Sequence, residues 1–196
     1  MIFLTVFKMK FFSPLLLAVL LANFATSIGE VAKASCAKIP DFMENNGKTP
    51  RNIWNIFRVL NGPKAEEAIP WQVHYEDPNG SCGGTILSPY HILTAAHCLD
   101  DLSSIESIKI KAGSHNQDSF EQERGVEKFV IHGKYKWYSI ERGYDLAILK
   151  LKSPLVFNDN VQNACLPEPN ENPIFKACYA SGWGQTETGT CTYRVG

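Results

Sequence analysis

The stretch of sequence that decides the fold runs from residue 81 to residue 98. It reads Ser81-Cys82-Gly83-Gly84-Thr85-Ile86-Leu87-Ser88-Pro89-Tyr90-His91-Ile92-Leu93-Thr94-Ala95-Ala96-His97-Cys98. The run His91–Thr94 follows a Ser-Pro turn signal and is rich in β-branched and apolar residues, which predicts a short strand. The one short helix that the sequence predicts begins in Ala95–Leu99. A histidine beside a cysteine at this point is either a packed core residue or a participant in chemistry.

Further short runs of β-type residues follow the same pattern along the chain. They are Trp71–Tyr75, Ile108–Lys111, Lys128–Ile131 and Leu146–Leu151. Turn residues separate them, and no long amphipathic helix interrupts the series. The pattern predicts an all-β domain built as an antiparallel barrel or sandwich.

A second segment with chemical potential is Tyr144-Asp145-Leu146-Ala147-Ile148-Leu149-Lys150-Leu151. Asp145 is an acid directly ahead of an apolar strand, where its carboxylate can be buried; the alternative is an ordinary residue at a strand start. A serine hydroxyl is a weak nucleophile near pH 7 and needs a base such as imidazole. The imidazole in turn needs a buried carboxylate on its other nitrogen. His97 and Asp145 are the residue types for those two roles.

Together, the Thr94–Cys98 and Asp145–Leu151 elements resemble the chymotrypsin/trypsin-like serine proteases. The resemblance extends over about residues 58–184 and implies a chymotrypsin-like double β-barrel. The first barrel, about 59–160, is expected to be complete, and only the start of the second, about 175–196, is expected to be present. The resemblance implies that His97 and Asp145 are catalytic, that proteins or peptides are substrates, and that protease inhibitors are further partners. It implies no cofactor and no metal.

The region before the domain resembles the leader of a secreted zymogen. Residues 1–27 have a weakly basic start, a short apolar core and small residues at its end, which is typical of a signal peptide. A membrane anchor is the alternative, but the apolar run is short for a bilayer span and contains Pro14. Residues 28–58 form the expected propeptide, and by resemblance an activating protease cuts after Arg58 to free Val59. We therefore expect a secreted, extracellular protein with no membrane attachment after signal removal.

The six cysteines all follow the expected signal peptide, so disulfides are predicted. Six cysteines allow about 15 pairings, which spacing alone cannot choose between. The family resemblance implies the pairs Cys82–Cys98 and Cys36–Cys165. It leaves two cysteines open, either paired with each other or both free: Cys178 and Cys191.

Metal and glycan sites are the remaining candidates. A zinc site from Cys82, His91, His97 and Cys98 is disfavoured because the chain has no Cys-x-x-Cys and adjacent residues make awkward ligands of one ion. The 112–116 stretch resembles a calcium loop, but Ser114 stands where calcium-binding members place an acid. Asn79-Gly80-Ser81 is an N-glycosylation sequon or a plain turn.

The nucleophile that the resemblance requires is not found. After Asp145 the serines are Ser153 and Ser181, and neither lies in the Gly-Asp-Ser-Gly-Gly setting that also forms the oxyanion hole. We therefore expect a copy truncated at its C-terminal side that is inactive as written, whether it is a sequence fragment, a splice form or a truncated gene. The alternatives are a secreted non-catalytic homologue that acts as a binding or regulatory module, and a product without a folded state.

Composition limits the remaining function classes. The 196 residues carry a formal net charge of −1, with 44% hydrophobic and 20% charged residues. That mixture is typical of a globular chain rather than a disordered one. A charge near zero also argues against a nucleic-acid binder that neutralises phosphates.

Overall fold

A computed structural model describes residues 65, 67–138, 143–166 and 181–184, and the backbone of 194–195. Several expectations lie outside the described residues. These are the signal segment 1–27, the leader 28–58, the Arg58–Val59 junction, Cys36, Cys178 and Cys191.

Six strands of the described chain form one closed antiparallel barrel. They are β1 (Gln72–Asp77), β2 (Gly80–Ser88), β3 (His91–Thr94), β4 (Lys109–Ala112), β5 (Gln122–Ile131) and β6 (Ala147–Leu151). Their order around the barrel is β1-β2-β3-β6-β5-β4. Closure pairs every strand on both sides, so the barrel has no open edge. The expectation of an all-β fold is confirmed, and of the two architectures considered, the barrel is the correct one.

Two 3-10 helices and two very short strands complete the described elements. The helices are Ala96–Leu99 and Ile105–Ser107, and the first coincides with the predicted short helix. Strands β7 (Ser181–Gly182) and β8 (Arg194–Val195) form a separate antiparallel pair. Within the described residues, no helix is long and apolar enough to cross a membrane.

The barrel interior is filled by alternate residues of the strands. Strand β1 shows how this works, because Val73 and Tyr75 are 0% and 1% exposed and point to the same side. The remaining strands contribute branched aliphatic side chains that water does not reach: Ile86, Ile92, Ile110, Val126, Leu149 and Leu151. Burial of this apolar area is the main source of the barrel's stability.

Strand β7 is attached to the barrel through Gln72 and Trp183. The Gln72 side-chain amide donates to the Ser181 carbonyl at 3.1 Å, and its oxygen accepts from the Ser181 hydroxyl. Trp183 packs in a small cluster with Ala65 and Ile69, and its indole N–H donates to the His115 carbonyl at 3.1 Å. The 181–184 segment is thereby fixed against the first strand of the barrel.

Candidate active site

The pairing of β3 with β6 brings two distant parts of the chain to one end of the barrel. Thr94, the last residue of β3, lies opposite Ala147, the first residue of β6. His97 follows β3 in the first 3-10 helix, and Asp145 precedes β6. Because antiparallel neighbours place the end of one strand beside the start of the other, these two side chains meet.

Two hydrogen bonds join His97 to Asp145. The His97 backbone N–H donates to Asp145 Oδ1 at 2.9 Å, and His97 Nδ1 lies 2.5 Å from Asp145 Oδ2. The His97 and Asp145 side chains are 14% and 21% exposed. Since a carboxylate only accepts, Nδ1 carries the proton and the lone pair of the neutral ring lies on Nε2. This is the tautomer that a general base requires.

The charge of Asp145 is set by two opposing influences. Partial burial raises the pKa of its carboxyl group, but hydrogen bonds from the His97 ring and backbone N–H and from the Ala96 N–H lower it by more. The pKa therefore lies below its ordinary value, and Asp145 is an anion at neutral pH. An anion at this position stabilises a positive charge on His97.

A disulfide holds the helix that carries His97. Cys82 of β2 is bonded to Cys98, and the two Cα atoms lie 6.3 Å apart. Ligand atoms of Cys82, His97 and Cys98 lie within 4.8 Å of one another, as a metal site requires. Both sulfurs are already bonded to each other and cannot act as thiolate ligands, so this cluster does not hold zinc.

The structure adds supporting residues that the sequence analysis did not select. The Tyr75 hydroxyl donates its one proton to Asp77 at 2.9 Å and also lies 3.2 Å from the Cys98 carbonyl oxygen, which can share that proton. Burial, followed by the bond to Asp77, raises the pKa of Tyr75, so the hydroxyl stays a donor. In the sequence, Tyr75 is indicated only as one position of the alternating run Trp71–Tyr75.

Tyr135 makes a second hydroxyl contact with the segment that carries His97. Its hydroxyl donates to Asp100 at 2.6 Å. These bonds hold the C-terminal end of the helix that carries His97, at Cys98 and at the residue that follows the helix, Asp100. The sequence does not indicate these hydroxyl contacts, because Tyr75 is 23 residues from Cys98 and Tyr135 is 35 residues from Asp100.

The structure also describes the remaining serine and cysteine candidates. Ser153 is exposed beyond the end of β6, whereas the Ser181 hydroxyl is bonded to Gln72. Cys165 is disulfide-bonded, and its partner lies outside the described residues. Ser114 bonds within its own turn to the backbone of Asn116.

Asn79 is exposed in the turn between β1 and β2. Asp77 Oδ1 accepts the backbone N–H groups of Asn79 and Gly80, at 2.7 and 3.0 Å, which fixes the turn without the Asn79 side chain. The Asn79 amide itself donates to the Asp101 carbonyl at 2.6 Å. The sequon therefore lies beside the segment that follows the 3-10 helix of His97.

Comparisons with known proteins agree with this geometry. Residues 59–195 match the family described as Trypsin. The chain is 33% identical over 149 residues to ovochymase-2 of Mus musculus, covering 71% of this chain and 24% of that protein. It is 34% identical over 136 residues to coagulation factor XI of Bos taurus, covering 65% of this chain and 21% of that protein. The chain thus spans about a quarter of the length of these relatives.

Proposed function

Because this chain belongs to the trypsin family, we propose that it carries the base and carboxylate of a Ser-His-Asp site for peptide-bond hydrolysis. The single observation behind this proposal is the double contact of His97 with Asp145. His97 is the general base, and Asp145 orients its ring and stabilises the imidazolium.

The geometry supports the following proton path. A serine hydroxyl gives its proton to His97 Nε2 as it attacks the scissile carbonyl, and the positive charge that forms on the ring is held by the Asp145 anion. The imidazolium then returns the proton to the leaving amine. Deacylation by water repeats the two transfers. Asp145 remains ionised throughout, in keeping with its lowered pKa.

We further propose that the 196 residues as written do not hydrolyse peptides. Neither Ser153 nor Ser181 lies in a Gly-Asp-Ser-Gly-Gly sequence, which supplies the nucleophile and the oxyanion-hole amides. Loss of the nucleophile from a triad that acts as a unit costs on the order of a million-fold in kcat. Hydrolysis requires a polypeptide that includes such a segment.

The setting of this activity is part of the same proposal. Residues 1–27 are a signal peptide, 28–58 a propeptide, and 59–196 the protease part, whose N-terminus at Val59 is freed by cleavage after Arg58. Substrates are extracellular proteins, protease inhibitors bind the same face, and Cys36–Cys165 keeps the leader attached. In the secreted form Cys178 and Cys191 are either paired with each other or both free, and Asn79 is either glycosylated or part of a plain turn.

A second candidate is a secreted protease homologue that binds a partner without catalysis. The closed barrel favours it, because the six strands complete their pairing among themselves. This candidate requires that the 196-residue product is secreted, monodisperse and inert.

The deciding experiment labels serine nucleophiles. The in-frame coding sequence downstream is determined, and the 196-residue and longer products are treated with a serine-directed fluorophosphonate after trypsin cleavage at Arg58. We expect labelling of the longer product only, and its loss in His97→Ala; Arg58→Gln, the matched control for activation, should stay uncut and unlabelled. Labelling of the 196-residue product would overturn the inactivity claim, and a longer product without label would favour the binding module.

A further inference from the structure

Tyr144, the residue directly before Asp145, has an unusual backbone conformation. Its φ is +65°, and Gly143 before it has φ +81°. Glycine enters this left-handed region readily, whereas a bulky aromatic residue there is an outlier. Such a conformation persists only where the surroundings enforce it, and it tends to occur beside functional groups.

Ring contacts supply that enforcement. The Tyr144 ring lies parallel to the His132 ring, with centroids 4.9 Å apart and an interplanar angle of 16°. The Lys134 ammonium lies 5.3 Å from the Tyr144 ring centroid, within cation–π range. The phenol ring therefore has a fixed seat, although Tyr144 is 36% exposed.

Hydrogen bonds fix the position of His132, on which the Tyr144 ring stacks. His132 is 7% exposed, and its Nδ1 accepts the Lys134 backbone N–H at 3.1 Å. Its own backbone N–H donates to the Leu146 carbonyl at 2.9 Å. The Leu146 N–H donates to the Tyr144 carbonyl at 2.8 Å, which closes a three-residue turn with Asp145 at its centre. Both chain neighbours of Asp145 are thus tied to His132.

From these contacts we propose that Tyr144 is a positioning residue for Asp145. Its ring, seated on His132, holds the left-handed turn that aims the Asp145 carboxylate at both donors of His97. This inference rests on the proposed function for its catalytic meaning. Its structural content, the hold on the His97–Asp145 contact, exists in the 196-residue chain regardless of activity.

The test observes the hydrogen-bonded proton between His97 and Asp145 directly. A proton in so short a bond gives a strongly downfield proton NMR signal, and its exchange with water reports opening of the contact. The 196-residue chain is compared with Tyr144→Ala, Tyr144→Phe and Tyr144→Gly, and far-ultraviolet circular dichroism checks the barrel. Tyr138→Ala is the matched control, since Tyr138 is also an exposed tyrosine, 68% exposed, in the same region.

We expect Tyr144→Phe and Tyr138→Ala to keep the signal and its exchange rate. In Tyr144→Ala the signal should exchange at least about tenfold faster with the barrel retained, because the strained turn has lost its ring contact. Tyr144→Gly tests the strain itself, because glycine adopts this φ without strain. If the alanine variant does not fold, a folded glycine variant supports a strained turn that the Tyr144 ring holds in place.

Wild-type exchange in a folded Tyr144→Ala variant, or loss of the fold in both Tyr144→Ala and the unstrained Tyr144→Gly, would overturn the proposal. The proposed function fails differently. In that case the longer product stays unlabelled by fluorophosphonate while the NMR result of the 196-residue chain still stands.

Discussion

Gly84 of β2 lies against buried residues of the two neighbouring strands, and an added methyl group has no room there. A Cβ atom on Gly84 would lie 2.8 Å from Cγ2 of Ile92, 2.9 Å from Cγ2 of Val73 and 3.1 Å from the Leu93 carbonyl oxygen. Ile92 and Val73 are both 0% exposed, so neither side chain can swing into water. Overpacking of this kind costs about 1–3 kcal/mol. Two side chains and one backbone atom are involved, so we expect Gly84→Ala to cost about 2–3 kcal/mol.

Gly80 provides a matched control on the same strand. No atom lies within 4 Å of its added Cβ, and its φ is outside the left-handed range. Gly80→Ala should leave the free energy of unfolding unchanged or raise it by about 0.4–1 kcal/mol, because alanine restricts the unfolded chain. Urea unfolding followed by circular dichroism measures both variants. Gly84→Ala should also lower the Tm by about 6–9 °C, from roughly 3 °C per kcal/mol for a chain of this size.

Gly84→Ala should also affect the contact between His97 and Asp145. Gly84 is opposite Thr94, and Thr94 lies just before the helix that carries His97. Displacement of β3 by the new methyl group would therefore loosen the His97–Asp145 contact, seen as faster exchange of its proton. Unfolding free energies of the two variants within about 0.5 kcal/mol of each other, the range of an ordinary surface substitution, would refute the close approach at Gly84.

Three further predictions follow from the site. Replacing the Cys82–Cys98 disulfide by two alanines should lower the free energy of unfolding by about 3 kcal/mol, the loop-entropy value for a separation of 16 residues; an unchanged urea midpoint would contradict this. Stability should fall as pH drops below about 6.5, because burial lowers the pKa of three histidines and the unfolded chain then binds more protons. They are His74, His91 and His132. Urea unfolding at pH 5 and pH 7 checks this, and the pH dependence should be weaker in His74→Phe. A pH-independent midpoint would be inconsistent with it. In the longer, active product, Asp145→Asn should lower kcat by about 10⁴ through the wrong tautomer of His97, and peptide-hydrolysis rates near wild type would argue against the assigned role.

Much of the barrel was predictable because alternation of apolar residues is a local property. Strands β1, β4 and β6 begin within one residue of the predicted runs. Strand β5 begins at Gln122, well before the predicted start at Lys128. The early start was missed because the strand opens with the polar residues Gln122, Glu123 and Arg124, which give no apolar alternation. Strand β2 gave no clear strand signal, since Gly83 and Gly84 have low strand propensity. Its pairing on both sides, and the space that Ile92 and Val73 occupy, overrule that local preference.

The candidate site, like the barrel, was predictable only in part from the sequence. The residue types at 97 and 145, and their place after and before apolar runs, were readable because chemistry restricts which side chains can act as base and carboxylate. Their contact did not follow from the local pattern and was expected only from the family resemblance, because β3 pairs with β6 across two intervening strands and only the closed barrel makes them neighbours. The left-handed turn at Tyr144 also depends on tertiary structure. Local sterics oppose this backbone conformation, and it is held by stacking of the Tyr144 ring on the buried ring of His132, which precedes it by 12 residues.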